Sequence, residues 1–247
     1  MTAICYLKSK PVFRAILYLP IILGITILAV IAMRWSLADV YATQLTHHLD
    51  TVNQDSSNKN DDQWRLAGQH LEKTLELRPT YARYLELASL FNQKLDILEV
   101  DRKNLAQELG WQPNEPKFLG YLRRSIRLTP SWPYLWSRLV VSKLVLQQFD
   151  EELNGAMERA VNLGRWERSV QYDLALLGLN SWPNLRGKAR LEGLQAIEQT
   201  WVMEKIQHSD AFDIAPILTH ANLSQACDQD AKIMSNLKLQ TFCARHK

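Results

Sequence analysis

From Ala15 to Met33 the chain reads AILYLPIILGITILAVIAM, nineteen residues without a charge. Wound as an α-helix, a run of that length covers most of the ~30 Å hydrocarbon core of a bilayer. Lys8, Lys10 and Arg14 precede it and no acidic residue does, whereas residues 34–63 hold Arg34 and Lys59 against Asp39, Asp50, Asp55, Asp61 and Asp62. The positive-inside bias therefore predicts a cytoplasmic amino terminus and an exported remainder. Tyr18 and Trp35 stand near the two interfaces, where amphipathic rings settle, and Pro20 is close enough to the start to be tolerated. The alternative is a cleaved secretory signal, with Val30 and Ala32 as the small residues before a cut after position 32. Against it, the run exceeds the usual signal core of ~7–15 residues and no A-x-A sequence follows.

The exported part predicts an all-α protein. Nine glycines and nine prolines in 247 residues are few for the tight turns of an all-β fold, and Leu, Ala, Glu, Gln, Lys and Arg recur at helical spacing. Removing Lys8, Lys10 and Arg14 from the 29 basic residues leaves 26, matching the 26 acidic ones, so the net charge of +3 belongs to the anchor. That balance lacks the basic footprint of a phosphate-backbone binder, and nucleic acid is excluded as an expected partner. Residues 1–14 read as a cytoplasmic segment, 15–35 as the transmembrane helix and 36–62 as a helical stalk and polar linker, NQDSSNKNDD containing no apolar residue. Asp61 or Asp62 then caps a helix with Trp64, Ala67, Leu71 and Leu75 on one face.

Residues 63–206 repeat themselves. LEKTLELRPTY from Leu71 aligns without gaps to LRRSIRLTPSW from Leu122, and MERAVNLGRW from Met157 is a third copy with one deletion. The second and third copies are 35 residues apart, falling to 34, the period of tetratricopeptide repeats; the first interval fits one period plus an insertion at 93–116. In RLTPSWPYLWSRLV, Pro130 ends one helix and Pro133 opens the next, marking an αα corner. Trp132 and Trp136, four apart, are expected on one face, filling the wedge between helices, and Trp166 at the third corner likewise. Trp64 and Trp201 are also expected in the core.

No catalytic, cofactor-binding or metal motif emerges, and a non-enzyme without cofactor is expected. The six histidines form no HExxH and pair with no cysteine at zinc-finger spacing. His47 and His48 are adjacent, hence about 100° apart on a helix, and read as solvated side chains. GxGxxG, GxxxxGK[ST] and GxSxG are absent. Asp150, Glu151 and Glu152 read as the capped, acidic first turn of a helix and not as a paired acid and base.

RLTPSWPYLWSRLVVSKLVLQQFDEEL followed by AMERAVNLGRWERSVQYDLALLGLNSW resembles the VpsP-type exopolysaccharide biosynthesis proteins, over roughly residues 115–185. The resemblance implies a single-span inner-membrane protein with a tetratricopeptide-like periplasmic solenoid, acting as an adaptor for proteins of polysaccharide assembly and export. If Trp136 opens the repeat, Leu135, Arg138 and Ser142 are the candidate groove lining. The alternative is a glycan-binding module that holds the polysaccharide itself through Trp111, Trp182 and the basic patch Arg123, Arg124 and Arg127. Cys227 and Cys243, in a carboxyl-terminal cap over 207–247, are an even pair in an oxidising compartment and are expected to form a disulfide. One unbroken helix between them would hold their Cα atoms about 24 Å apart, beyond the ~7 Å limit for a bridge, so a break is expected near Asn236.

Overall fold

The computed structural model describes residues 11–54, 61–108, 117–207, 215–230 and 243–244, and all regular structure among them is helical. The chain divides into two compact units that meet at 116/117, inside the stretch 63–206 expected as one repeat domain.

The first unit holds α1 (Pro11–Gln54), α2 (Asp61–Leu77) and α3 (Ala82–Glu108). At ~1.5 Å per residue the 44 residues of α1 span about 66 Å, twice a hydrocarbon core. Its two halves differ in chemistry. Leu19, Ile22, Ile25 and Leu28 are exposed along the first, which makes α1 long and apolar enough to cross a membrane. Further on, Ala38, Ala42, Leu45 and Leu49 recur at three- and four-residue steps and are buried where α1 packs on α2 and α3. Much of the expected stalk is thus part of a helical bundle. Small Ala38 and Ala42 let the helices approach closely, and larger Trp64, Leu71, Tyr84 and Phe91 complete the core.

In α2 the residue buried after Leu71 is Thr74, not Leu75. The Thr74 hydroxyl donates to the His70 carbonyl at 2.7 Å, which satisfies it without water. His48 is half-buried, its ring 5.4 Å from that of His70, so it is not the freely solvated side chain expected. At the junction of the two halves of α1, the Arg78 guanidinium lies 4.3 Å over Trp35 and 4.1 Å over Tyr81.

The second unit holds α4 (Lys117–Leu128), α5 (Pro133–Val145), α6 (Glu151–Leu163), α7 (Arg168–Asn180), α8 (Lys188–Gln207), the short α9 (Ala215–Leu218) and α10 (Leu223–Asp230). From α4 to α8 each helix packs on the next, α5 also packs on α7 and α6 on α8, and the short α9 and α10 pack on α7 and α8 respectively. Asp150 caps α6, its side chain accepting from the Leu153 amide at 3.0 Å, with Glu151 and Glu152 in the first turn as expected from the dipole. Gln171 is buried and sutures α7 to the end of α6, its Nε2 donating to the carbonyls of Val161 (3.0 Å) and Gly164 (2.9 Å). Asn222 donates to the Leu179 carbonyl at 2.8 Å, anchoring the approach to α10 on the end of α7.

Candidate functional site

The corner that most distinguishes the sequence is built as its prolines require. Pro133 occupies the first turn of α5 and is buried, while Pro130 stands exposed beyond the end of α4. Trp136 fills the corner: it is buried, its Nε1 donates to the Pro130 carbonyl at 2.7 Å, and the Arg159 guanidinium lies 4.5 Å over its ring. Trp132 and Trp166 do not fill their corners as expected. Trp132 is the extended residue before α5 (φ −87°, ψ 106°), so helical four-residue spacing does not apply to it, and it stays 52% exposed. Trp166 sits in the turn between α6 and α7, where Gly164 leaves room for the side chains of Val170 and Pro133, and is 67% exposed.

These two rings belong to one surface. Trp132 lies 5.3 Å from Tyr134, whose hydroxyl donates to the Glu167 carboxylate at 2.6 Å, and Arg165 stands 5.6 Å from the ring of Trp166. That hydrogen bond holds the Tyr134 phenol above its ordinary pKa. The two corners also touch, because a methyl group on Gly164 would come within 3.1 Å of the Pro133 Cβ. Two exposed indoles, a phenol and a guanidinium thus share one end of the second unit. This is the composition of an interface anchor, since Trp, Tyr and Arg dominate binding energies where they bury against a partner.

The expected groove does not form as a surface. Leu135 and Ser142 are buried and Arg138 is half-buried, because α5 is covered by α4, α6 and α7. A helix apolar around most of its circumference is placed in the middle of a bundle.

Sequence reading missed what lies at the other end of α5. Lys143 is 1% exposed, and its ammonium reaches Asp150 and Glu152 at 2.7 Å each and Gln148 at 3.3 Å. Arg123 grips Glu152 through two hydrogen bonds, at 2.7 and 2.6 Å. The Arg123 bonds, with burial opposing and Lys143 assisting, hold the Glu152 carboxyl down at about 2. Burial opposes ionisation of Asp150 too, but the Lys143 and Leu153 hydrogen bonds outweigh it and keep that carboxyl below its usual range. The acidic run after a lone lysine was the available signal; its reading as a helix cap is right for Asp150 and incomplete. Arg123 is committed to this network and leaves the proposed basic patch, whereas Arg124 and Arg127 are exposed.

Trp182 is not a surface indole. It is fully buried after the last turn of α7, in reach of the α8 backbone: a Cβ added at Gly193 would stand 3.6 Å from its ring and 3.9 Å from Met157. Trp111 lies outside the described residues, as do the side chain of Trp201 and the expected break at Asn236. Cys227 and Cys243 are joined by a disulfide, with Cα atoms 5.3 Å apart and both residues buried. Among the described residues no group of three or more His, Cys, Asp and Glu is placed to hold a metal ion. No known protein family matches the chain, and no curated protein matches it.

Proposed function

We propose that this chain is a membrane-tethered, non-enzymatic adaptor in bacterial exopolysaccharide assembly and export. In this reading α1 crosses the inner membrane with its amino terminus in the cytoplasm, and the remaining helices form a tetratricopeptide-like module in the periplasm. The observation that carries the adaptor role is the exposed aromatic end formed by Trp132, Tyr134, Arg165 and Trp166. Exposed tryptophans are costly to leave in water and are well suited to bury against a protein partner. Packing of α5 on α7 and of α6 on α8, beside the adjacent-helix contacts, supports the repeat reading. Tethering raises the effective concentration of this surface near other membrane components, which compensates for a small patch.

The test uses the full chain in its own membrane. A photo-crosslinking residue at position 166 should capture a protein of the polysaccharide machinery, and the Trp132→Ala/Trp166→Ala double variant should lower polymer output while reaching wild-type levels in the membrane. Polymer output unchanged by deleting the gene, or fully restored by the double variant, would overturn the proposal.

A further inference from the structure

Away from the aromatic end, an open cleft of about 510 Å³ lies between the start of α6 and the turn that leads into α8. That volume falls within the roughly 300–1,000 Å³ of small-ligand sites. Its floor is apolar, made by buried Leu153 and Leu185, and Phe149 stands at its edge with 39% of its surface exposed. Around this floor converge Glu151 and Asn154 from α6 and Asn184 and Arg186 from the turn. Gly187, at φ +52°, closes that turn in a conformation that suits glycine, directly after Arg186. One helical turn beyond Asn154 the groove between α6 and α8 is shut by the Lys188–Glu158 ion pair at 2.7 Å. The ion pair bounds the cleft on that side.

The four polar side chains have no hydrogen bond or ion pair with any described residue. This contrasts with Asp150 and Glu152 beside them, which are fully engaged by Lys143 and Arg123. Two carboxamides each offer donors and acceptors, Glu151 offers acceptors only, and Arg186 offers a fork of donors. A ligand that satisfies all four must carry many groups able both to donate and to accept, and must also present an apolar face to Phe149 and the leucine floor. A phosphorylated ligand would meet Glu151. A peptide strand is read by a row of side-chain pockets, whereas this cleft offers the one apolar floor of Leu153 and Leu185. Sugar rings combine hydroxyls around the rim with a C–H face.

We propose that this cleft binds a short oligosaccharide, with Asn154, Asn184, Glu151 and Arg186 taking the hydroxyls and Phe149 the ring face. The inference rests on the cleft and not on the adaptor role. The full chain in phospholipid nanodiscs, free of glycoside detergent, is titrated calorimetrically with tetrasaccharides of glucose, galactose, N-acetylglucosamine and glucuronate. At least one should bind, and Asn154→Ala/Asn184→Ala should weaken it by about tenfold or more, the effect of losing ~1.4 kcal/mol. Asn184 and Arg186 are exposed, so Arg186→Ala serves as a second variant that leaves packing intact and should also weaken binding. Trp132→Ala/Trp166→Ala should bind sugar as the parent does, which separates this site from the aromatic end. Absence of binding at millimolar sugar, binding unchanged in both cleft variants, or a cleft that takes unstructured tetrapeptides instead would overturn the proposal.

Discussion

Lys143 brings a charge into the core of the second unit, and Glu152 is where that arrangement becomes measurable. A carboxyl whose folded-state pKa lies below its unfolded value stabilises the fold above the unfolded value and stops doing so as pH falls through the folded one. For Glu152 the window runs from 4.5 down to about 2. Glu152→Gln should therefore melt below the parent at neutral pH, and the difference between the two should shrink as pH falls through that window in thermal melts. The tryptophans give a second contrast. Trp136→Ala should cost about 3–5 kcal/mol, the range for truncating a buried aromatic, whereas Trp132→Ala and Trp166→Ala should each stay within about 0.5 kcal/mol. Denaturant melts of the three variants check this ordering. The sequence marked all three positions as corners, but exposure depended on whether the residue lies inside the helix, as Trp136 does, or just before it, as Trp132 does.

Helix boundaries follow local chemistry where it is strong and depart from it where the backbone makes an unusual turn. The α5 terminus is such a case: Gln147 takes a left-handed φ of 55°, with the Gln148 amide bonding to the Lys143 carbonyl at 2.9 Å and the Gln147 amide to the Leu144 carbonyl at 3.1 Å. This pair closes a Schellman motif without the glycine that signals one in a sequence. Glycines elsewhere have opposite meanings. Gly155 lies inside α6 with open space around it, so Gly155→Ala should raise stability by roughly 0.5–1 kcal/mol. At Gly164 a Cβ would stand 2.8 Å from both the Ala160 carbonyl oxygen and a Val170 methyl. Gly164→Ala should lower the melting temperature, and the opposite signs of the two alanine variants are the readout.

For the whole molecule, the expectation is that the full chain stays in the membrane pellet after a carbonate wash, with Cys227 and Cys243 oxidised on the exported side. Alkylation without reductant under denaturing conditions should leave both thiols unlabelled, and the bridge, closing a separation of 16 residues, should contribute ~3 kcal/mol in the chain-entropy model. A soluble chain beginning near Met33 would identify the apolar run as a cleaved signal. By itself the sequence determined the all-helical class, the long apolar helix, the Pro130–Pro133 corner, the acidic cap at Asp150 and the pairing of Cys227 with Cys243. Each of these follows from local or covalent chemistry: hydropathy over a continuous run, a missing N–H, a side chain three residues from an amide, two thiols on the same side of the apolar run. Only the tertiary structure decided which side of each helix meets water. It buried Leu135, Ser142 and Trp182, exposed Trp132 and Trp166, and drew Lys143 and Arg123 onto Glu152. The physical reason is that burial is set by how many neighbours cover a helix, and no short window of residues carries that information.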